Sequence, residues 1–210
     1  MRLGPLIRRL LGPYERPVTE LYRRTFIGLD EFARIIAAWV PDPRRILEIG
    51  CGEGAVAERL AATFPAAVIT AIDVTPAVGR LFRGDRLRVS FRREEARELE
   101  QRQQNSFDLI VMCDVLHHVP SSARRDLLSA ARRLLAPQGA YIFKDWSPSA
   151  TPIHWICDAA DRYLTGDDVR HLTVDEAKAL LNDVFGAGAV QQEEHVRPWA
   201  NNFALIVRAG

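Results

Sequence analysis

Four groups of residues in this 210-residue chain have the types and spacing for chemistry. Glu48 stands just ahead of Gly50, Gly52 and Gly54 in "ILEIGCGEGAVAERL", where a short apolar run gives way to an alanine-rich segment. Glycines there permit positive φ and let the backbone come close to a ligand, and the amides opening a following helix suit an anionic group. Asp73 closes the run "AVITAID" about 20 residues after the glycines, where a carboxylate can accept hydrogen bonds from both hydroxyls of a ribose. The plainer role for Asp73 is a turn or cap before "TP". In "FDLIVMCDVLHHVP" an apolar run ends in Asp114, His117 and His118, and either imidazole titrates near neutral pH and can act as a base. The plainer reading is that one histidine packs beneath a ligand and the other caps a turn. Lys144 and Asp145, ending "AYIFKDW", form the fourth group and are expected to orient an acceptor.

These residues need elements to hold them. "FIGLDEFARIIAAWV" places Leu29, Phe32, Ile36 and Trp39 or Val40 at helical spacing, and "PDP" stops it. "RILEI" is a strand, the glycines turn the chain, and "AVAERLAATF" is a helix with Val56, Leu60 and Phe64 on one side. "AVITAID", "RLRVSF" (Leu87, Val89 and Phe91 alternating), "FDLIVMC" and "AYIFK" are further strands; the continuous apolar run of "FDLIVMC" suits a strand covered on both faces. Between the last two, Ser121 or Ser122 caps a helix carrying Leu127, Leu128, Ala131, Leu134 and Leu135, which "PQG" ends. Thr173 and Glu176 form a capping box for "VDEAKALLNDVF", and strands near "AVQQEEHV" and "FALIVR" close the chain as a hairpin. Alternating strands and helices predict an α/β, doubly wound, mostly parallel sheet with helices on both faces and one antiparallel strand near the C-terminus. In such a sheet, ligands sit beyond the carboxyl ends of the strands, where the four groups fall.

Composition sets the bounds. The length and a 48% hydrophobic content suit one domain with a substantial core. No run reaches the roughly 18 apolar residues of a membrane span, and "MRLGPLIRRLLGPYERP" is too interrupted for a signal-peptide core, so a cytoplasmic protein is expected. Cys51, Cys113 and Cys157 are scattered and odd in number, which fits reduced thiols and no metal centre. A net charge of +1 gives no general pull toward nucleic acid. The first 24 residues are locally basic, with Arg2, Arg8, Arg9, Arg16, Arg23 and Arg24 against Glu15 and Glu20. That face is solvated, lies weakly on a membrane surface, or meets the acceptor.

Taken together, "LEIGCGEG", "AIDVTP", "FDLIVMCDVLHHV" and "LLAPQGAYIFKD" resemble the motifs of class I S-adenosylmethionine-dependent methyltransferases of the small-molecule type, over roughly residues 44–146. The family usually carries Gly where Gln138 stands. The resemblance implies the Rossmann-like seven-stranded sheet of that family and S-adenosyl-L-methionine as cofactor. It implies a cofactor site of Glu48, Gly50, Cys51, Gly52, Gly54, Asp73, Val74, Glu95, Cys113 and Asp114. Glu48 would hold the loop and approach the methionine amino group, Asp73 the ribose, and Glu95, where the family often carries Asp, the adenine amine. It further implies methyl transfer to a small, apolar or aromatic acceptor, with O- or C-methylation favoured.

Methyl transfer from a sulfonium is an in-line displacement in which positioning supplies much of the rate, and a base is needed only when the acceptor must lose a proton. His117 and His118 are the candidate bases, beside Asp114. The acceptor is expected to meet an N-terminal segment (1–43) and an insertion at about 146–171 in the core (44–210), with Tyr14, Tyr22, Lys144, Asp145, Trp146, His154 and Tyr163 as contacts. His171 and His195 are expected to be structural or exposed. Alternatives are a non-catalytic cofactor-binding module and a nicotinamide oxidoreductase. A nucleic-acid methyltransferase of the exocyclic-amine type would carry an N/D-P-P-Y/F sequence where this chain has "CDVLHHVP". The protein is expected to be a monomer or homodimer.

Overall fold

The computed structural model describes residues 28–148 and 170–208. In chain order they form α1 (Leu29–Trp39), β1 (Arg45–Ile49), α2 (Ala55–Thr63), β2 (Val68–Asp73), β3 (Val89–Arg93), α3 (Ala96–Glu100), β4 (Phe107–Cys113) and a 3₁₀ turn (Leu116–His118). There follow α4 (Ser121–Leu134), β5 (Leu135–Trp146), α5 (Val174–Phe185), β6 (Val190–His195) and β7 (Asn202–Val207). The seven strands lie in the order β3-β2-β1-β4-β5-β7-β6. β1 to β5 are parallel, and β7 runs antiparallel to both β5 and β6. Strand order therefore reverses between β1 and β4, the topological switch at which open α/β sheets bind ligands.

Both faces of the central strands β1, β2, β4, β5 and β7 are covered, which is why those strands carry continuous apolar runs, whereas edge strand β6 is largely exposed. Alternate residues feed two separate cores. Leu47, Ile49, Ile110, Met112, Tyr141 and Phe143 pack with α4 and α5 residues such as Leu128, Leu134, Leu181 and Phe185. Ile46, Ile69, Leu109, Val111, Ile142 and Ile206 pack with Phe32, Ile36, Leu60 and Phe64 from the region of α1 and α2. The Thr173–Glu176 capping box is present at the start of α5.

Three local expectations change. Leu87 is 95% exposed and lies before β3, because Val89 is the first residue paired to β2. Neither Ser121 nor Ser122 caps α4; Pro120 occupies the N-cap and Ser121 is already helical. "PQG" does not separate helix from strand either: α4 ends at Leu134 and β5 begins at Leu135, which pairs with Phe107, while Ala140 pairs with Leu109. The four intervening residues bulge out of the ladder, with Gln138 left-handed at φ 67°.

Candidate active site

The glycine loop joins β1 to α2 at the switch point. Gly50, Gly52 and Gly54 take φ of 78°, 47° and 94°, so each needs the freedom that only glycine has at low cost. Their surroundings differ. A Cβ on Gly50 would stand 2.2 Å from a Val115 methyl, and one on Gly54 would stand 3.1 Å from Phe82 and Phe91. A Cβ on Gly52 would meet nothing within 4 Å, so the loop is pinned at its ends and open at its middle. Asp73 braces that middle: its Oδ2 accepts from the Gly52 N–H at 2.7 Å and its Oδ1 from the Thr75 N–H at 2.8 Å. Asp73 is thus the turn residue of the plainer reading, and each carboxylate oxygen keeps a second lone pair for a ribose hydroxyl.

The remaining expected cofactor residues lie at or just beyond the carboxyl ends of β1 to β4. Glu48 is buried on β1, in register with Ala71 on β2 and Val111 on β4. Val74, 61% exposed, extends past the end of β2 as an apolar surface. Glu95 is the N-cap of α3 and forms a capping box with Glu98, a local duty the sequence reading did not assign to it. Burial raises the Cys51 thiol pKa, with Glu48 and Asp73 adding to the effect. Burial likewise pushes the Cys113 thiol well above its usual value, reinforced by Asp114. Both are therefore thiols and poor nucleophiles at neutral pH.

Lys144 and Asp145 end β5, where strand alternation sends consecutive side chains to opposite faces. Both are buried, with exposures of 0% and 1%, as is His117 at 3%. Lys144 Nζ donates to both Asp114 carboxylate oxygens, at 2.8 and 2.7 Å, and lies 5.3 Å from the Trp146 ring centroid. Asp114 is itself left-handed (φ 55°) and gives its N–H to the Lys144 carbonyl, so two strands hold a backbone conformation that L-residues seldom adopt. Asp145 lies on the other face, its Oδ1 2.5 Å from His117 Nδ1 and also accepting the Trp146 N–H at 2.8 Å. Burial alone would raise the Asp145 pKa, but the charge and hydrogen bond of His117, the Trp146 amide and Lys144 hold it below the usual carboxylate range.

His117 is buried on the 3₁₀ turn and His118 beside it is half-buried. The His171 ring stacks on His117, with centroids 4.7 Å apart. Donor atoms of His117, Asp145 and His171 lie within 4.8 Å of one another, a set that sequence spacing concealed. The direct 2.5 Å contact between two of them is a hydrogen bond; ligation by both to one ion would insert bonds of roughly 2.0–2.2 Å on either side. His195, at the end of edge strand β6, is exposed. Tyr14, Tyr22, His154 and Tyr163 lie outside the described residues. Among the described residues, no helix is long and apolar enough to cross a membrane.

Sequence reading expected His171 to be structural or exposed but did not foresee its stack on His117, a contact that spans 54 positions and leaves no local signal, and it did not single out Arg124. A signal for Arg124 existed. It precedes Leu128 and Ala131 by helical steps, so it faces the core, and its guanidinium donates to the Val119 and Arg170 carbonyls.

Comparison with known proteins fits this geometry. A methyltransferase-domain family matches residues 46–139. A ubiquinone biosynthesis O-methyltransferase of Xanthomonas oryzae is 32% identical over 99 residues, 45% of this chain and 40% of the relative. The chain thus spans about two-fifths of the length of the curated relatives it matches. Among solved structures, a Burkholderia thailandensis 1,6-didemethyltoxoflavin-N1-methyltransferase with bound S-adenosylhomocysteine superposes with a TM-score of 0.68 at 17% identity, covering 98% of this chain and 88% of that one. The mitomycin 7-O-methyltransferase MmcR gives 0.69 at 18% identity, covering 95% and 60%. With the strand order, the switch-point glycine loop and Asp73, these likenesses identify residues 46–139 as a methyltransferase domain, within a chain that has the fold of the class I S-adenosylmethionine-dependent methyltransferases.

Proposed function

We propose that the protein transfers a methyl group from S-adenosyl-L-methionine to a hydroxyl of a small, apolar or aromatic acceptor. The observation that carries this reading is the glycine loop braced by Asp73: it is pinned at Gly50 and Gly54, open at Gly52, and lies at the topological switch. The fit to the cofactor rests on that open cradle, on the remaining lone pairs of Asp73 for the ribose, and on exposed Val74 beside them as an apolar platform. S-adenosylmethionine supplies an electrophilic methyl on a sulfonium. The chain's own residues orient the two reactants and manage the acceptor proton.

His117 is assigned as the base. In the neutral tautomer that donates Nδ1–H to Asp145, Nε2 carries the lone pair a general base requires, and in the protonated form the two make an ion pair. A buried carboxylate beside it stabilises the imidazolium formed when the acceptor proton is taken. O-methylation is also the chemistry in the name of the Xanthomonas relative. Glu48 and Asp114 are assigned to the methionine end of the cofactor, and the N-terminal segment (1–43) and the insertion at about 146–171 to acceptor selection. The reduced state expected of the thiols supports placement in the cytoplasm.

Calorimetry tests the core of this reading. S-adenosylmethionine and S-adenosylhomocysteine are expected to bind in the micromolar range, and Asp73→Ala to weaken both. Loss of charged hydrogen bonds worth about 1.5–3 kcal/mol corresponds to roughly 10- to 100-fold in Kd. Binding of NAD without S-adenosylmethionine would reverse the assignment.

A further inference from the structure

The open middle of the glycine loop is held from a second side. Asp73 takes the Gly52 N–H, and the Gly52 carbonyl accepts the N–H of Gly79 at 2.9 Å, from the segment that joins β2 to β3. The same segment holds the next loop residue, since the Glu53 carbonyl accepts the Leu81 N–H at 3.0 Å. Gly54 then packs close against Phe82 and Phe91. Gly79 is itself left-handed at φ 63°, and a Cβ there would stand 2.4 Å from the Phe91 ring, so the turn rests against that ring in a way only glycine allows. Phe82 and Phe91 form an edge-to-face pair with centroids 5.1 Å apart. Arg86 completes the assembly. Its Nη2 donates to the Gly79 carbonyl at 2.8 Å, and its guanidinium carbon lies 5.8 Å from the Phe82 centroid and 5.4 Å from that of Phe91.

We infer that Arg86 is a positioning residue for the cofactor: it holds the Gly79 turn on the Phe82–Phe91 pair, and that turn sets the backbone of Gly52. This rests on the reading of the glycine loop as the seat of S-adenosylmethionine. Gly52 is where the loop stands open, so a ligand can come closest to the backbone there. A glycine has no side chain to restrict its two dihedrals, and they must be fixed from outside. Asp73 fixes the peptide before Gly52 and Gly79 the peptide after it, so the two bonds together define φ and ψ. A loop ordered in advance spares the ligand the entropy of ordering it. Arg86 reaches the loop through Gly79, and its effect is therefore on position. An effect of charge alone would have another signature. S-adenosylmethionine carries a sulfonium, so removing a nearby cation would tighten it and leave the neutral sulfide of S-adenosylhomocysteine little changed.

Three variants of the full chain decide it, read by calorimetry with both ligands and by amide hydrogen exchange in NMR. Arg86→Gln removes the fork and the charge at an exposed position. Arg83→Gln removes the same charge from the same segment and keeps the bond that the Arg83 N–H makes to Glu58. Gly79→Ala pushes the turn off Phe91. Arg86→Gln is expected to weaken S-adenosylmethionine and S-adenosylhomocysteine equally, by about 10-fold, and to speed exchange of the Gly52 and Gly79 amides by a similar factor. The amides of Val111 and Ile142 in the central strands should stay protected. Gly79→Ala should weaken both ligands further, and Arg83→Gln should leave exchange unchanged and both Kd values within about twofold.

Unchanged affinity for both ligands in Arg86→Gln would overturn the inference even if thermal stability fell, because packing alone would then be the duty of Arg86. Tighter S-adenosylmethionine with S-adenosylhomocysteine unchanged would also overturn it, by making Arg86 a charge and not a positioning group. Should Gly79→Ala fail to fold, Arg86→Gln set against Arg83→Gln still decides. A parent that binds neither ligand sinks the cofactor reading and this inference with it, whereas a parent that binds both with an affinity indifferent to Arg86 sinks the inference alone.

Discussion

His117 and Asp145 put a titratable pair inside the protein, and both consequences can be measured. If Nε2 takes the acceptor proton, His117→Ala should lower turnover by about 10²–10⁴-fold while leaving S-adenosylmethionine affinity nearly unchanged, checked by paired kinetics and calorimetry. A matching loss of cofactor affinity would mean that the histidine supports the binding site instead. The second consequence is acid stability. Because the Asp145 pKa is held below the usual value, its charged form is favoured by folding. The stability it contributes is complete above the unfolded carboxyl value of about 3.9 and is lost as pH falls through the lower folded value. Asp145→Asn should therefore be less stable than the parent at neutral pH, with the gap narrowing below about pH 4 in denaturant titrations. A gap that widens on acidification would show that the folded carboxyl is raised, not lowered.

At the scale of elements, the bulge in β5 joins sequence to energetics. The resemblance pointed to glycine where Gln138 stands, and the structure gives the reason: φ there is 67°, a region in which a Cβ crowds the following carbonyl. Relief of a strain of about 1–2 kcal/mol is partly offset by the greater entropy that glycine brings to the unfolded chain. Gln138→Gly should thus stabilise the protein by about 0.5–1 kcal/mol, raising Tm by a few degrees in calorimetry. The Arg208 bond to the Gln138 carbonyl involves backbone and would survive. A neighbouring glycine offers no such gain, since a Cβ on Gly139 would stand 2.8 Å from Leu135 and 2.9 Å from the Ala136 carbonyl.

For the molecule as a whole, the proposed reading gives the cofactor to the sheet edge and acceptor choice to the N-terminal segment and the insertion. A chain starting at Thr25 should still fold and bind S-adenosylmethionine, more weakly, yet transfer no methyl group to its true acceptor; calorimetry and turnover together check this. Retained turnover would remove the N-terminal segment from the acceptor site. Sequence alone determined the doubly covered sheet, its antiparallel C-terminal strand and the meeting of the glycine loop and Asp73 at one sheet edge. These depend on hydrophobic period, on glycines at a strand-to-helix turn and on a capping box, all written within a few residues of one another. Only the tertiary structure decided what Lys144 and Asp145 do, since strand alternation sends them to opposite faces and buries both against Asp114 and His117. The His171 stack and the Arg124 clamp were likewise invisible beforehand. Such contacts join residues tens of positions apart, so no local pattern encodes them, and their energy exists only once the sheet has brought the segments together.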